Sequence, residues 1–297
     1  MIPNRGRTLE DDFPALFRAA DRLSVRGQKN RRGFFVCFLL IDLAASILTE
    51  FRDQSPFVSA LILLVVILGL LATILLLQEG PENDWYGGRA LAESVKTISW
   101  RYMMCADPFP HGLSLNEAEN RLLSEINELQ RANHGLLGGL FVESATDLQI
   151  TERMRAFRSM EVRERKSQYL ELRIRNQQGW YREKAKSARA WLQFCRWALV
   201  TFQLVIVIIA LSLVMFPHQH FSAIGLFSAF GASLLAWQEL NQFGGIAIAY
   251  NLAAHDLASI QSKAGIVNTE GELGLFVLNA ERAISREHTL WLARRTR

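Results

Sequence analysis

At 297 residues with half of them hydrophobic, the chain has the length of one or two soluble domains, but its apolar residues are gathered into long blocks that a soluble core does not require. The formal charge of +4 carries no nucleic-acid signature, because the basic run Arg153 to Lys166 is interleaved with Glu161 and Glu164 and reads as a solvated helix face. Cys37, Cys105 and Cys195 lack any CxxC or Cys/His spacing, so they read as reduced structural thiols, and no metal, redox site or cofactor is expected.

Residues 1–32 are polar and show no cleavable signal peptide. Phe13, Leu16, Phe17, Ala20 and Leu23 fall at helical spacing, with Arg18, Arg22 and Arg26 on the other face. The spacing predicts a short amphipathic helix that leads to the membrane, packed on a cytosolic domain or lying on the lipid surface. Gly33 to Leu48, interrupted by Asp42, is followed after Arg52 by Phe57 to Leu77, 21 residues without a charge. As helices these cross a hydrocarbon core of roughly 30 Å, giving spans over about 33–50 and 57–77.

Trp85 and Tyr86 suit the membrane interface. A helix over Gly88 to Cys105 follows, ended by Asp107-Pro108-Phe109-Pro110. Ser114 with Glu117 is a capping-box pattern that opens a helix with Leu115, Ala118, Leu122, Ile126 and Leu129 on one face. Gly135 to Gly139 breaks it and divides the chain into modules 1–140 and 141–297. From Ser144 to Phe216 there is no proline, which predicts one long helix or two stacked ones, weakest at Gln177-Gln178-Gly179. Trp197 to Phe216 and Phe221 to Trp237 are the third and fourth spans, about 197–216 and 221–237, joined through Pro217 to His220. Beyond them Tyr250 to Gln261 continues as a helix, and Thr269 with Glu272 caps a final one whose apolar stripe is Leu273, Phe276, Val277, Ala280, Ile284 and Trp291. Nothing alternates with a period of two, so the expected fold is all-α: four transmembrane helices in two hairpins with cytosolic helical bundle extensions.

The hairpins are followed by matching sequences, Tyr86-Gly87-Gly88-Arg89-Ala90-Leu91-Ala92 and Phe243-Gly244-Gly245-Ile246-Ala247-Ile248-Ala249, offset by 157 residues. Their glycine pairs read as hinges or as points of close packing. Of the 33 basic residues, 8 precede the first span, 18 lie between the hairpins, 6 follow the last span, and only Arg52 falls in a far-side loop. This bias orients both termini to the cytoplasm, and the surplus charge adds attraction to anionic lipid headgroups.

Asp42 is the acid nearest the middle of a span. With Gln203 it reads as a pore or gate candidate, or else as polar glue to a neighbouring helix with Gln203 and Ser46 as partners. Gly225, Ser228, Ala229, Gly231, Ala232 and Ser233 recur at helical spacing and allow close helix packing. His218-Gln219-His220 lacks a third ligand for a metal, and His255 and His288 read as ordinary hydrogen-bonded side chains. No GxxxxGK[ST], GxSxG, HExxH or GxGxxG pattern is present, so an enzyme is not expected.

At Trp85, Arg89 to Lys96 and Trp100-Arg101-Tyr102, and again at Tyr169, Arg173-Ile174, Gln177, Trp180-Tyr181 and Lys184-Ala185, the chain resembles the SLATT families of two-span bacterial membrane proteins, including the related family of unknown function DUF4231. The pattern continues in Tyr250, Ala253-Ala254, Leu257, Ala280-Glu281-Arg282, Glu287-His288 and Trp291. The resemblance implies an oligomeric effector of the bacterial inner membrane that forms an ion-leak pore in a conflict or antiphage defence system. It also implies activation through a cytosolic sensor protein or a nucleotide second messenger. In that picture Trp180, Tyr181 and Arg182, with Trp100 and Arg101, couple the cytosolic helices to the spans. The alternative is a non-conducting scaffold that recruits a cytosolic signalling partner.

Overall fold

The computed structural model describes residues 12–51, 56–76, 80–137, 148–216 and 223–295. The loops through Arg52 and His218 to His220, with Gly138 and Gly139, lie outside these residues, as do the side chains of His288 and Trp291. Among the described residues every regular element is a helix. They are α1 Ala15–Thr49, α2 Pro56–Leu76, α3 Gly80–Met103, α4 Leu115–Ala132, the single turn α5 His134–Leu137, α6 Glu152–Ser159 and α7 Val162–Tyr169. A π-helical segment, Leu170–Arg175, leads into α8 Asn176–Met215, followed by α9 Ile224–Asn241, α10 Phe243–Lys263 and α11 Glu270–Arg295.

Among the described residues, three helical runs are long and apolar enough to cross a membrane: Ala15–Thr49, Pro56–Leu75 and Val162–Met215. The fourth segment foreseen from sequence is helical as α9, but its 18 residues are not among these runs.

The boundaries differ from the sequence expectation in three places. The amphipathic N-terminal segment is not a separate helix but the first turns of α1. Lys29, Asn30, Arg31 and Arg32 include no helix breaker, and continuing the helix spares the unsatisfied backbone groups that a break would create. Gly87 and Gly88 lie inside α3, so they are not a hinge. Gln177-Gln178-Gly179 is unbroken helix, held by a buried Gln178 whose Nε2 donates to the Ala254 carbonyl at 3.2 Å. The break falls instead at Met160, between α6 and α7.

The chain divides into two compact units that each draw on both halves of the sequence. One, the head, comprises 1–28, 80–182 and 251–297; the other, the membrane unit, comprises 29–79 and 183–250. In the head, α3 is the hub and packs against α4, α5, α6 and α11. Its core joins Phe13, Leu16 and Phe17 to Trp100, Phe157, Tyr169, Leu273 and Val277, all buried. Both capping boxes form. The Glu117 N–H donates to Ser114 Oγ at 3.3 Å while the Ser114 N–H donates to Glu117 Oε2 at 3.1 Å, and Thr269 and Glu272 repeat the exchange at 3.3 and 3.0 Å. Backbone donors pull the Glu272 carboxyl below its usual range. On α4, Ala118, Leu122 and Ile126 face the core, but Leu115 sits in the exposed first turn.

In the membrane unit, Gly69 of α2 meets Ile41 of α1 at 3.4 Å from its built Cβ position. Phe202 of α8 lies 6.2 and 5.9 Å from Phe227 and Phe230 of α9, and Phe35 of α1 lies 6.1 Å from Trp237. Gln242, in the left-handed region at φ 47°, ends α9 by donating its N–H to the Gln238 carbonyl at 2.9 Å, and α10 starts at once.

Candidate functional site

The head places a charge pair where water is excluded. The π-helical segment widens the helix by one residue per turn and re-aims the side chains around it, and Tyr169, Arg173 and Ile174 all end up buried. Arg173 donates from Nε to Glu281 Oε1 at 3.0 Å and from Nη2 to Oε2 at 2.8 Å, a bidentate pair in which both side chains are 1% exposed. Glu281, on α11, also accepts from the Tyr169 hydroxyl at 2.9 Å and from Thr97 Oγ1 of α3 at 3.0 Å. Glu93 of α3 stands 3.9 Å from Arg173 Nη1. One carboxylate therefore gathers α3, α11 and the helix that runs on into α8.

Burial opposes the Arg173 charge, but Glu281 and the hydrogen bonds to it outweigh burial and hold the guanidinium above its ordinary pKa. Burial, reinforced by the Glu281 charge, raises Tyr169 well above the ordinary tyrosine value. Tyr169 thus stays a neutral donor. Such a network is stable when complete and costly when one member is removed, because the remaining charge cannot reach water.

Two further arginines bind the same helices. Arg158, read from sequence as part of a solvated face, is instead buried. It donates to the carbonyls of Tyr102, Phe109 and Pro110 at 3.0, 2.9 and 3.1 Å, closing the C-terminal end of α3. Arg165, also placed on that face, is fully buried and pairs with Glu270, while its Nε donates to the Met160 carbonyl at 3.0 Å. The solvated-face reading fails because the run is split into two short helices that each bury part of it, Arg158 with Met154 and Phe157 on α6 and Arg165 with Tyr169 on α7.

Of the residues singled out from sequence, Trp100 is fully buried among Phe13, Phe157 and Tyr169, with the Tyr169 ring edge-on at 5.5 Å. Arg101 donates to the Asp107 carbonyl at 2.6 Å. Trp180 lies under the Arg89 guanidinium at 5.3 Å, Tyr181 is buried, and Arg182 is exposed. Asp42 and Gln203 are both exposed along their helices, and the Ser46 hydroxyl engages the backbone carbonyl of Asp42 at 3.0 Å rather than its carboxylate. Gly225 and Ser228 are exposed on α9, while Gly231 is half-buried near Leu199. The structure brings Trp100 to the Arg173–Glu281 network through Tyr169, while Asp42, Gln203, Gly225, Ser228 and Gly231 belong to the other unit.

Sequence reasoning missed the Arg173–Glu281 pair. A readable sign was present: Glu281 stands four residues after Val277, on the apolar stripe of α11. An acid on a buried stripe calls for a buried partner.

No group of three metal-ligating side chains occurs among the described residues. The arrangement holds no nucleophile beside a base; its capability is to fix helices in one register. Apolar helices of membrane-crossing length, joined to a head locked by buried ion pairs, define a helical membrane protein. The chain belongs to the SLATT membrane effector domains: residues 14–166 match SMODS and SLOG-associating 2TM effector domain 3, and residues 169–291 match SMODS and SLOG-associating 2TM effector domain 1. The two matches meet within α7, beside the π-helical segment. No curated protein and no solved structure matches the chain.

Proposed function

We propose that this protein is an effector of a bacterial conflict or antiphage defence system, in which several copies assemble in the inner membrane into an ion-leak pore. In this reading α9 completes a fourth span, the two hairpins share one orientation, and both termini and the head lie in the cytoplasm. The head is the gate, and a cytosolic sensor protein or a nucleotide second messenger releases it.

The observation that carries this reading is Asp42. A carboxylate facing lipid at the centre of a helix costs about 2.5–3.5 kcal/mol on an insertion scale, and the single chain leaves Asp42 exposed. Neighbouring copies around a wet centre would remove that cost. Gln203 and the Gly225–Ser228 face of α9 are bare as well, and they supply further surface for assembly.

The test is ion flux from proteoliposomes, using wild type and a head-released Glu281→Gln variant, each with and without Asp42→Asn. Release is expected to open a leak that Asp42→Asn diminishes or makes less cation-selective. If permeability stays at the protein-free level for released and unreleased protein alike, conduction is wrong and the scaffold reading takes its place.

A further inference from the structure

Within the membrane unit, α1, α8 and α9 enclose an open groove of about 290 Å³, at the small end of ligand-pocket volumes. Val36, Phe194 and Trp237 line one end, and Leu43, Phe202 and Phe230 line the other. Its wall is aliphatic and aromatic except for Ser233, 8% exposed, whose hydroxyl has no hydrogen-bond partner among the described residues. A purely structural gap would leave that donor without purpose.

The groove has a cationic mouth. Lys29, Arg32, Val36, Leu40 and Leu43 recur at three- and four-residue spacing, so they form one stripe of α1 that changes from charged to apolar within a single turn. Arg32 is about 6 Å along the axis from Val36, and both Lys29 and Arg32 are exposed. On α8, the exposed Lys186 and Arg189 precede Phe194 toward the same end. Trp191 and Trp197, 48% and 73% exposed, stand where amphipathic rings meet lipid headgroups. Among the described residues of this unit the acids toward this end are Glu183 and Glu239, against the cations Lys29, Arg32, Lys186 and Arg189.

We propose that this groove is a binding site for one anionic phospholipid, with its phosphate at Lys29 and Arg32, one acyl chain along Val36, Leu40 and Ala198, and an ester carbonyl accepting from Ser233. Charge complementarity chooses this occupant over a neutral lipid, and the direct passage from cations to an apolar slot matches a headgroup joined to its chain. The site rests on the protein lying in a membrane and does not depend on conduction.

Native mass spectrometry of the full-length delipidated protein, titrated with phosphatidylglycerol or phosphatidylcholine of identical chains, tests it. Wild type is expected to retain phosphatidylglycerol about tenfold better, since each basic residue near an anionic surface contributes a several-fold gain. Lys29→Gln with Arg32→Gln should erase the preference while keeping residual lipid, and Leu40→Trp, which fills the slot, should lower retention of both lipids. Equal retention of the two lipids by wild type overturns the proposal without recourse to any variant. So does a Leu40→Trp protein that keeps its lipid but changes its oligomeric state, because the groove then houses a second copy of the chain. Either result leaves the flux measurement untouched.

Discussion

The helices that follow the two hairpins carry the same Gly-Gly signature and meet opposite surroundings. A Cβ built on Gly88 in α3 would stand 2.9 Å from the Ala20 carbonyl oxygen and 2.9 Å from the Ser24 nitrogen, both backbone atoms that cannot step aside. Beside it the Ser24 hydroxyl donates to the Trp85 carbonyl at 2.9 Å, so α1 and α3 touch backbone to backbone. In α10, a Cβ on Gly244 would meet only Leu192 at 3.8 Å, and one on Gly245 would meet nothing within 4 Å. The contrast continues along the helices. α3 delivers Glu93, Thr97 and Trp100 to the buried network, whereas α10 contributes buried aliphatic residues, Ala253, Ala254 and Leu257. The same glycine pair therefore marks the entry to two helices of which only the first became the hub of the head.

Five substitutions would break or sharpen that contrast. The largest effect belongs to Glu281→Leu, which strands Arg173 in a dry core: the head should lose about 3–5 kcal/mol, read as a fall in its unfolding midpoint in detergent. Adding Arg173→Met should recover most of the loss, and a double variant no better than the single would show that the pair is not the source. Gly88→Ala comes next, at about 1–3 kcal/mol of destabilisation from overpacking against backbone. Gly245→Ala should reverse the sign and stabilise by roughly 0.4–1 kcal/mol, because it restricts the unfolded chain at no steric cost. Equal melting shifts for these two glycine variants would refute the distinction between the repeats.

The smallest effect at neutral pH belongs to Tyr102→Phe. Burial first, then the charge of Glu119, pushes Tyr102 from 10.0 up to about 12. The native state keeps this proton while an unfolded tyrosine releases it, so stability falls as pH rises from 10 to about 12. A pH series of unfolding midpoints should show a shallower alkaline decline in the variant.

Signals written in a few adjacent residues were legible from sequence. Ser114 with Glu117 and Thr269 with Glu272 form their capping boxes because each needs only four residues. The end of α3 was less legible. The Ala106 N–H donates to the Arg101 carbonyl at 2.9 Å and the Cys105 N–H to the Tyr102 carbonyl at 3.3 Å, a Schellman closure whose left-handed residue is Cys105 at φ 54°. Glycine ordinarily marks that position, so a cysteine gave no warning. The same holds for Arg158 and Arg165, whose burial follows from the packing of short helices and not from any local pattern.

By itself, the order of residues determined the helical class, the apolar blocks and the caps, since each depends on composition or on periodicity within a helix; the SLATT membership rests instead on the family matches over residues 14–166 and 169–291. Tertiary structure alone decided which glycine pair is packed, which arginines are buried, and that Arg173 and Glu281, 108 residues apart, share one dry site. Those outcomes depend on which helix faces meet, and desolvation attaches its cost to a charge only once neighbouring helices have closed over it.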